Sequence, residues 1–319
     1  MKKALKITGK VLLWIFWIVV GLVIISAVTH NILKPMEKNK YKIGQTINVE
    51  GKNMQTYVTG SGEKTIVLLS GLGTASPIID FMPLAERLSE DYKVVILEYF
   101  GYGFSDTTKE ERSNDNIVNE IRSALKELEI DGPYILMPHS ISGVYAMYYA
   151  INYPNEVEAI IGIDESIPNQ TKINKDSNMS PYLTLLNTFG IIRDITYLLP
   201  SADDGMNKNS YYSAEQVKIN KMATAWNSVN VSVINEFNMV NANTKELYDM
   251  KYPNDLPVLA FLAKNSVDED KEWIPLHEEV ISNSVIQKIE TLYGEHYLHW
   301  TNADNIAQMT KEFITTYLK

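Results

Sequence analysis

Residues 134–154 read YILMPHSISGVYAMYYAINYP. Tyr134–Met137 is a short continuous apolar run, the pattern of a strand covered on both faces. Ile141–Asn152 reads as a helix that Pro154 stops. Between them, Met137-Pro138-His139-Ser140-Ile141-Ser142-Gly143 must turn from strand to helix within a few residues. A serine on such a turn projects its hydroxyl above the sheet, provided that small residues two positions either side let the backbone close. Pro138 and Ser142 hold those positions around Ser140. Ser142 as the exposed hydroxyl is less suited, because Val144, two residues on, is β-branched and crowds the turn. The plain alternative is that Ser140 only caps the helix.

The same alternation extends both ways. Thr46–Val49 and Met54–Thr59 read as a hairpin joined through 50–53. Thr65–Leu69, Lys93–Tyr99 and Val157–Ile163 are further buried strands. Helical patterns fall at Ile78–Ser89 and at Asn116–Glu129, where Ile117, Ile121, Leu125 and Leu128 share a face. An α/β fold is expected, with a mostly parallel central sheet and helices on both faces. Residues 165–254 break the rhythm. They are polar and Asn-rich, with helical stretches at Tyr182–Phe189 and Ser213–Phe237, and are expected to form a helical lid. The alternation resumes with strand Val258–Ala263, helix Trp273–Ser282, strand Val285–Tyr293 and helix Asp304–Leu318. The core is therefore assigned to 44–164 and 255–319.

The first 33 residues differ from all of this. Val11–Thr29 carries no charge, and as a helix it would be about 28 Å long, close to a bilayer's hydrocarbon thickness. A signal peptide would have a shorter apolar region, although Ile25-Ser26-Ala27 could serve as a cleavage site. A single transmembrane anchor is expected, followed by a linker over 34–43. Lys2, Lys3, Lys6 and Lys10 precede the run with no acid, while Lys34, Lys38, Lys40 and Lys42 follow it with Glu37 among them. The purely basic flank favours a cytoplasmic N-terminus and an extracytoplasmic body.

Of the chain's 319 residues, 29 are basic and 39 acidic. Since all four basic residues of the first 29 are lysines before the apolar run, 25 basic residues face 39 acidic ones over 30–319. Such a body repels phosphate backbones, so nucleic acid is not an expected partner. There is no cysteine, which excludes disulfides, thiolate metal sites and a cysteine nucleophile.

A nucleophilic serine needs a base. The chain has five histidines. His30 lies at the membrane edge, His139 adjoins Ser140 and should point away from its hydroxyl, and His277 falls within a helix. His296 and His299 follow the last strand, and His296 is the nearer. The third member, a carboxylate to orient the imidazole, is expected to be Asp268, after the Val258–Ala263 strand. Asp164, at the end of Val157–Ile163, is the alternative, and Asp270 and Glu165 are lesser ones. Amides of Leu72, in Ser70-Gly71-Leu72-Gly73, and of Ile141 are the expected oxyanion donors. The glycine-rich stretch 98–106 is expected to wall the site. No cofactor or metal is implied.

Taken together these segments resemble the α/β-hydrolase superfamily. Ser70-Gly71 is similar to its His-Gly oxyanion segment and Glu98–Ser105 to D-x-x-G-x-G-x-S. Pro138–Gly143 is similar to G-H-S-x-G-G, and Gly294–His299 to G-H-x-x-H. The resemblance covers about 44–164 and 255–318 and places a cap at 165–254. Ser70, Pro138 and Glu98 depart from the pattern. It implies a membrane-tethered serine hydrolase of an ester, thioester or amide, most like a carboxylesterase or lipase, acting on a small or lipid-like acyl substrate. An aminopeptidase-like enzyme and a noncatalytic binding or sensory protein on the same scaffold are the alternatives. The serine speaks against dehalogenase or epoxide-hydrolase chemistry, which needs a carboxylate at that position.

Overall fold

The computed structural model describes residues 2–170, 178–199, 205–206 and 208–318. An N-terminal helix α1 (Lys2–Tyr41) leads into the hairpin β1 (Gln45–Val49) and β2 (Lys52–Thr59), whose Glu50-Gly51 turn has positive φ at both residues, as a two-residue hairpin loop requires. Then follow β3 (Thr65–Leu69), α2 (Pro77–Leu88), β4 (Lys93–Glu98), α3 (Asn114–Glu127), β5 (Tyr134–Pro138), α4 (Ser142–Asn152) and β6 (Val157–Ile163). The insertion supplies α5 (Thr184–Thr188), α6 (Ile191–Leu198), α7 (Ala214–Asn227) and α8 (Val231–Glu246). The chain closes with β7 (Val258–Ala263), α9 (Lys264–Glu269), α10 (Trp273–Ile281), β8 (Gln287–Leu292) and α11 (His299–Tyr317).

The eight strands form one sheet in the order β1-β2-β4-β3-β5-β6-β7-β8. The pairs from β4 to β8 are parallel, and the β1-β2 hairpin is antiparallel at one edge. Alternate residues of each strand feed separate cores. Val67 and Leu69 of β3 pack with Ile117 and Ile121 of α3 and Val144 of α4. Ile66 and Leu68 pack on the opposite face with Phe81 of α2 and Ile306 and Phe313 of α11. Two-sided burial explains why these strands read as unbroken apolar runs.

Helices α6 and α9 were not expected and α11 begins at His299, five residues early; two further differences have a clear cause. The linker expected over 34–43 is helical through Tyr41, because that end of α1 is held by the insertion between β6 and β7. Glu37 makes an ion pair with Arg193, 2.6 Å to Nη2, and accepts from the Trp226 indole at 2.7 Å. The single lid helix expected over 213–237 is two helices. Asn230 caps α8 by accepting the Ser232 and Val233 amides, and its own amide group donates to Gly101 O at 2.6 Å. Parts of the expected lid, 171–177, 200–204 and 207, lie outside the described residues. Most of the large apolar side chains of α1 from Val11 to Val28 are exposed, and this helix is long and apolar enough to cross a membrane.

Candidate active site

The turn after β5 does what its sequence requires. Ser140 has φ +54°, a strained value for a non-glycine residue, and sits ahead of α4. The His139 amide donates to Leu69 O at 2.8 Å, and Ser166 N donates to Ser140 O at 2.8 Å. A β-carbon at Gly71 would lie 2.9 Å from the Ser140 Cβ, so only glycine lets the β3 loop pass this close. Ser142 is fully buried and its hydroxyl donates to Ser70 O at 2.5 Å. It clamps the β3 loop to the turn and is not presented to the cavity.

Ser140 Oγ lies 2.9 Å from His296 Nε2, and His296 Nδ1 lies 2.7 Å from Asp164 Oδ2. The carboxylate that meets the imidazole is therefore Asp164, not Asp268. Asp268 lies on α9 with its side chain 55% exposed and paired to Lys264. Asp164 is fully buried, and four donors hold it. Oδ1 accepts the Ala263 amide at 3.0 Å and the Trp273 indole at 3.1 Å, and Oδ2 accepts the Ser266 hydroxyl at 2.6 Å besides His296. Four hydrogen bonds fix this buried carboxylate in place. Ser266 and Trp273 were not recognised in the sequence. The usable signal for Asp164 was topological, since β6 lies beside β5 and its C-terminal end is the nearer to the Ser140 turn.

The other histidines stand away from the serine hydroxyl. His139 points back, Nε2 being 3.1 Å from His296 O. Burial, with His296 and His299 as neighbours, holds its basicity well below the usual value. His299 faces Asp80 Oδ2 at 2.9 Å, and His277 lies buried between Trp273 O and Glu165 O. Glu165 is packed against Gly162, where a β-carbon would lie 2.0 Å from its carboxyl. Burial pushes its pKa to about 8, so it is largely protonated at neutral pH. No group of three metal-ligating side chains occurs among the described residues.

Ser140, His296, Leu72 and Ile141 line one cavity of about 370 Å³, with Trp273 and Val240 as further apolar walls. Glu269 and Asp270 stand at it, and among the described residues no lysine or arginine does. The 98–106 loop, expected as a wall, does not line it. That loop buttresses instead. The Gly73 amide donates to the Tyr102 hydroxyl at 3.1 Å, which donates to the buried Glu236 of α8 at 2.9 Å. Glu98 holds the loop from within, accepting from Phe104 N and Ser76 Oγ.

A family profile described as alpha/beta hydrolase fold matches residues 64–188. The uncharacterized protein YbdG of Bacillus subtilis is 29% identical over 97% of this chain and 99% of its own. The Karrikin insensitive 2 receptor IA of Petunia hybrida is 34% identical over 34% of this chain and 40% of its own. Among solved structures, Cfl2 from Burkholderia cenocepacia superposes with a TM-score of 0.66 at 16% identity, covering 84% of this chain and 94% of that one. The epoxide hydrolase CorEH superposes with a TM-score of 0.63 at 18% identity, covering 87% and 99%. Residues 64–188 thus match the alpha/beta hydrolase family model, and the chain as a whole has the α/β-hydrolase fold.

Proposed function

We propose that this α/β hydrolase is a serine hydrolase acting on a carboxylic ester, thioester or amide through an acyl-enzyme. The observation that carries this reading is the continuous Ser140–His296–Asp164 hydrogen-bonded chain opening into a cavity. Ser140 Oγ attacks the substrate carbonyl while its proton passes to His296 Nε2. Asp164 stabilises the resulting imidazolium at Nδ1. The Leu72 and Ile141 amides receive the oxyanion, and the tetrahedral intermediate collapses as His296 returns the proton to the leaving alcohol, thiol or amine. Water, deprotonated by His296, then attacks the acyl carbon. The acid is released and Ser140 regains its proton.

The size and apolar walls of the cavity favour a short or medium acyl group, and a carboxylesterase-like activity ranks first. An epoxide hydrolase would need a carboxylate where Ser140 stands. The acidic pair Glu269 and Asp270 favours aminopeptidase-like action as the second enzymatic reading, since an amine would find a counter-charge there. A ligand-sensing role is the reading outside enzymes, favoured by the likeness to a karrikin receptor over 34% of the chain. Helix α1 is read as a single uncleaved anchor with the body outside the cytoplasm.

The test is fluorophosphonate labelling of the full chain in detergent, mapped by mass spectrometry, with Ser140→Ala as control. Adduct on Ser140 alone is expected. A folded protein that takes no label there, with the cavity open to a small chromogenic ester, would refute the reading.

A further inference from the structure

The α5–α6 hairpin is built inside out for a protein surrounded only by water. Asn187 of α5 and Arg193 and Thr196 of α6 are buried. Leu185 and Phe189, and Ile195 and Leu198, are exposed, Leu198 by 80%. A helix on an aqueous surface shows the reverse pattern. Contiguous exposed apolar side chains on one small element mark an interaction surface.

Where the hairpin sits identifies the occupant. Its bend is at Gly190, φ +75°, where a β-carbon would lie 2.6 Å from Ser26 O of α1. Ser26 Oγ donates to Asp194 at 2.6 Å, and Asn31 donates to Thr188 O at 2.9 Å. The bend is thus pinned level with the last residues of the uncharged Val11–Thr29 run. The buried polar face meets the polar end of α1, through Arg193 to Glu37, which leaves the apolar face turned outward. Cations gather nearby. Lys40 and Lys218 lie over the Tyr41 ring at 4.9 and 5.4 Å, and Lys221 over the Tyr197 ring at 5.3 Å. Apolar side chains beside lysines and tyrosines are the composition of an interfacial membrane element.

We propose that the outer face of α5–α6 docks into the lipid surface that α1 enters, so that the lid rests on the bilayer. This rests on the reading of α1 as a membrane span, and the test separates the two. The chain has no cysteine, so single substitutions Phe189→Cys, Ile195→Cys, Ile18→Cys and Glu279→Cys can each carry an environment-sensitive NBD label on the full protein. Glu279 lies on α10, beside the β8 edge. Each labelled protein is required to melt with the wild type, then placed in vesicles of phosphatidylcholine and phosphatidylglycerol. The Phe189 and Ile195 probes should emit to the blue and be quenched by headgroup-proximal doxyl lipid. Ile18 should be quenched by deep doxyl lipid, and Glu279 by neither. Water-like Phe189 and Ile195 probes with Ile18 embedded would overturn docking and leave the anchor standing. A blue shift that doxyl lipid leaves unquenched would assign the face to a second copy and also overturn it. A water-like Ile18 probe would remove the anchor, and docking with it.

Discussion

Helices α3 and α6 are both amphipathic, yet they turn opposite sides to the protein. On α3, Ile117 and Ile121 enter the core beneath the sheet. On α6, Arg193 and Thr196 go inward while Ile195 and Leu198 face out. The first is a helix whose apolar side is covered by its own sheet and by α4. The second has found polar partners inside and is short of an apolar one outside. The sheet half therefore fixes geometry, including the strand-end constellation, and the inserted helices present surface.

The largest expected effects lie at the sheet end. Ser140→Ala or His296→Ala should lower turnover by about 10⁶-fold with an unchanged Tm, measured on a chromogenic ester. A residual rate near wild type would detach that residue from the chemistry. Asp164→Asn should cost about 10⁴-fold, while Asp268→Asn, removing only exposed pairs with Lys264 and Lys271, should stay near wild type. Reversal of that order would restore the α9 carboxylate as the partner of His296.

Stability tests then separate the two halves. Ile121→Asp places a charge in the core and should cost about 4 kcal/mol or more. Ile195→Asp should cost less than about 0.5 kcal/mol in detergent, since its site is already exposed. Equal losses by denaturant titration would show that α6 has a core of its own.

A smaller effect lies beside the acid. Burial raises the Glu165 pKa from 4.5 to about 8, so the folded state binds a proton that the unfolded state has released. That protonation difference lowers stability as pH rises from 4.5 towards 8, by an amount on the order of a few kcal/mol, and levels off above. Glu165→Gln should flatten this slope and melt higher than wild type at pH 8. Parallel pH profiles of Tm for the two proteins would mean that Glu165 is charged when folded.

The sheet was legible because two-sided burial writes itself as continuous apolar runs, and β3, β4, β5, β6 and β7 all carry one. Ser140 and His296 were legible because they stand directly after strands. Asp164 also follows a strand directly, but choosing it over Asp268 needed the depth of each carboxylate. Depth is set by Trp273, Ser266 and the Ala263 amide, which come from far along the chain. The lid was harder. The break between α7 and α8 depends on Asn230 bonding to Gly101, and the outward apolar face of α6 depends on Arg193 reaching Glu37 of α1. Neither pairing leaves a periodicity in either segment alone.

The position of Asp164 has an evolutionary corollary. With the carboxylate supplied by β6, the segment from Lys264 to Glu272 owes the histidine nothing directly. It gives the carboxylate one hydroxyl, from Ser266, and otherwise borders the cavity with Glu269 and Asp270. On the proposed serine-hydrolase reading, those two acids can drift without breaking the Ser140–His296–Asp164 hydrogen-bonded chain, so this short stretch is free to diversify what the cavity admits.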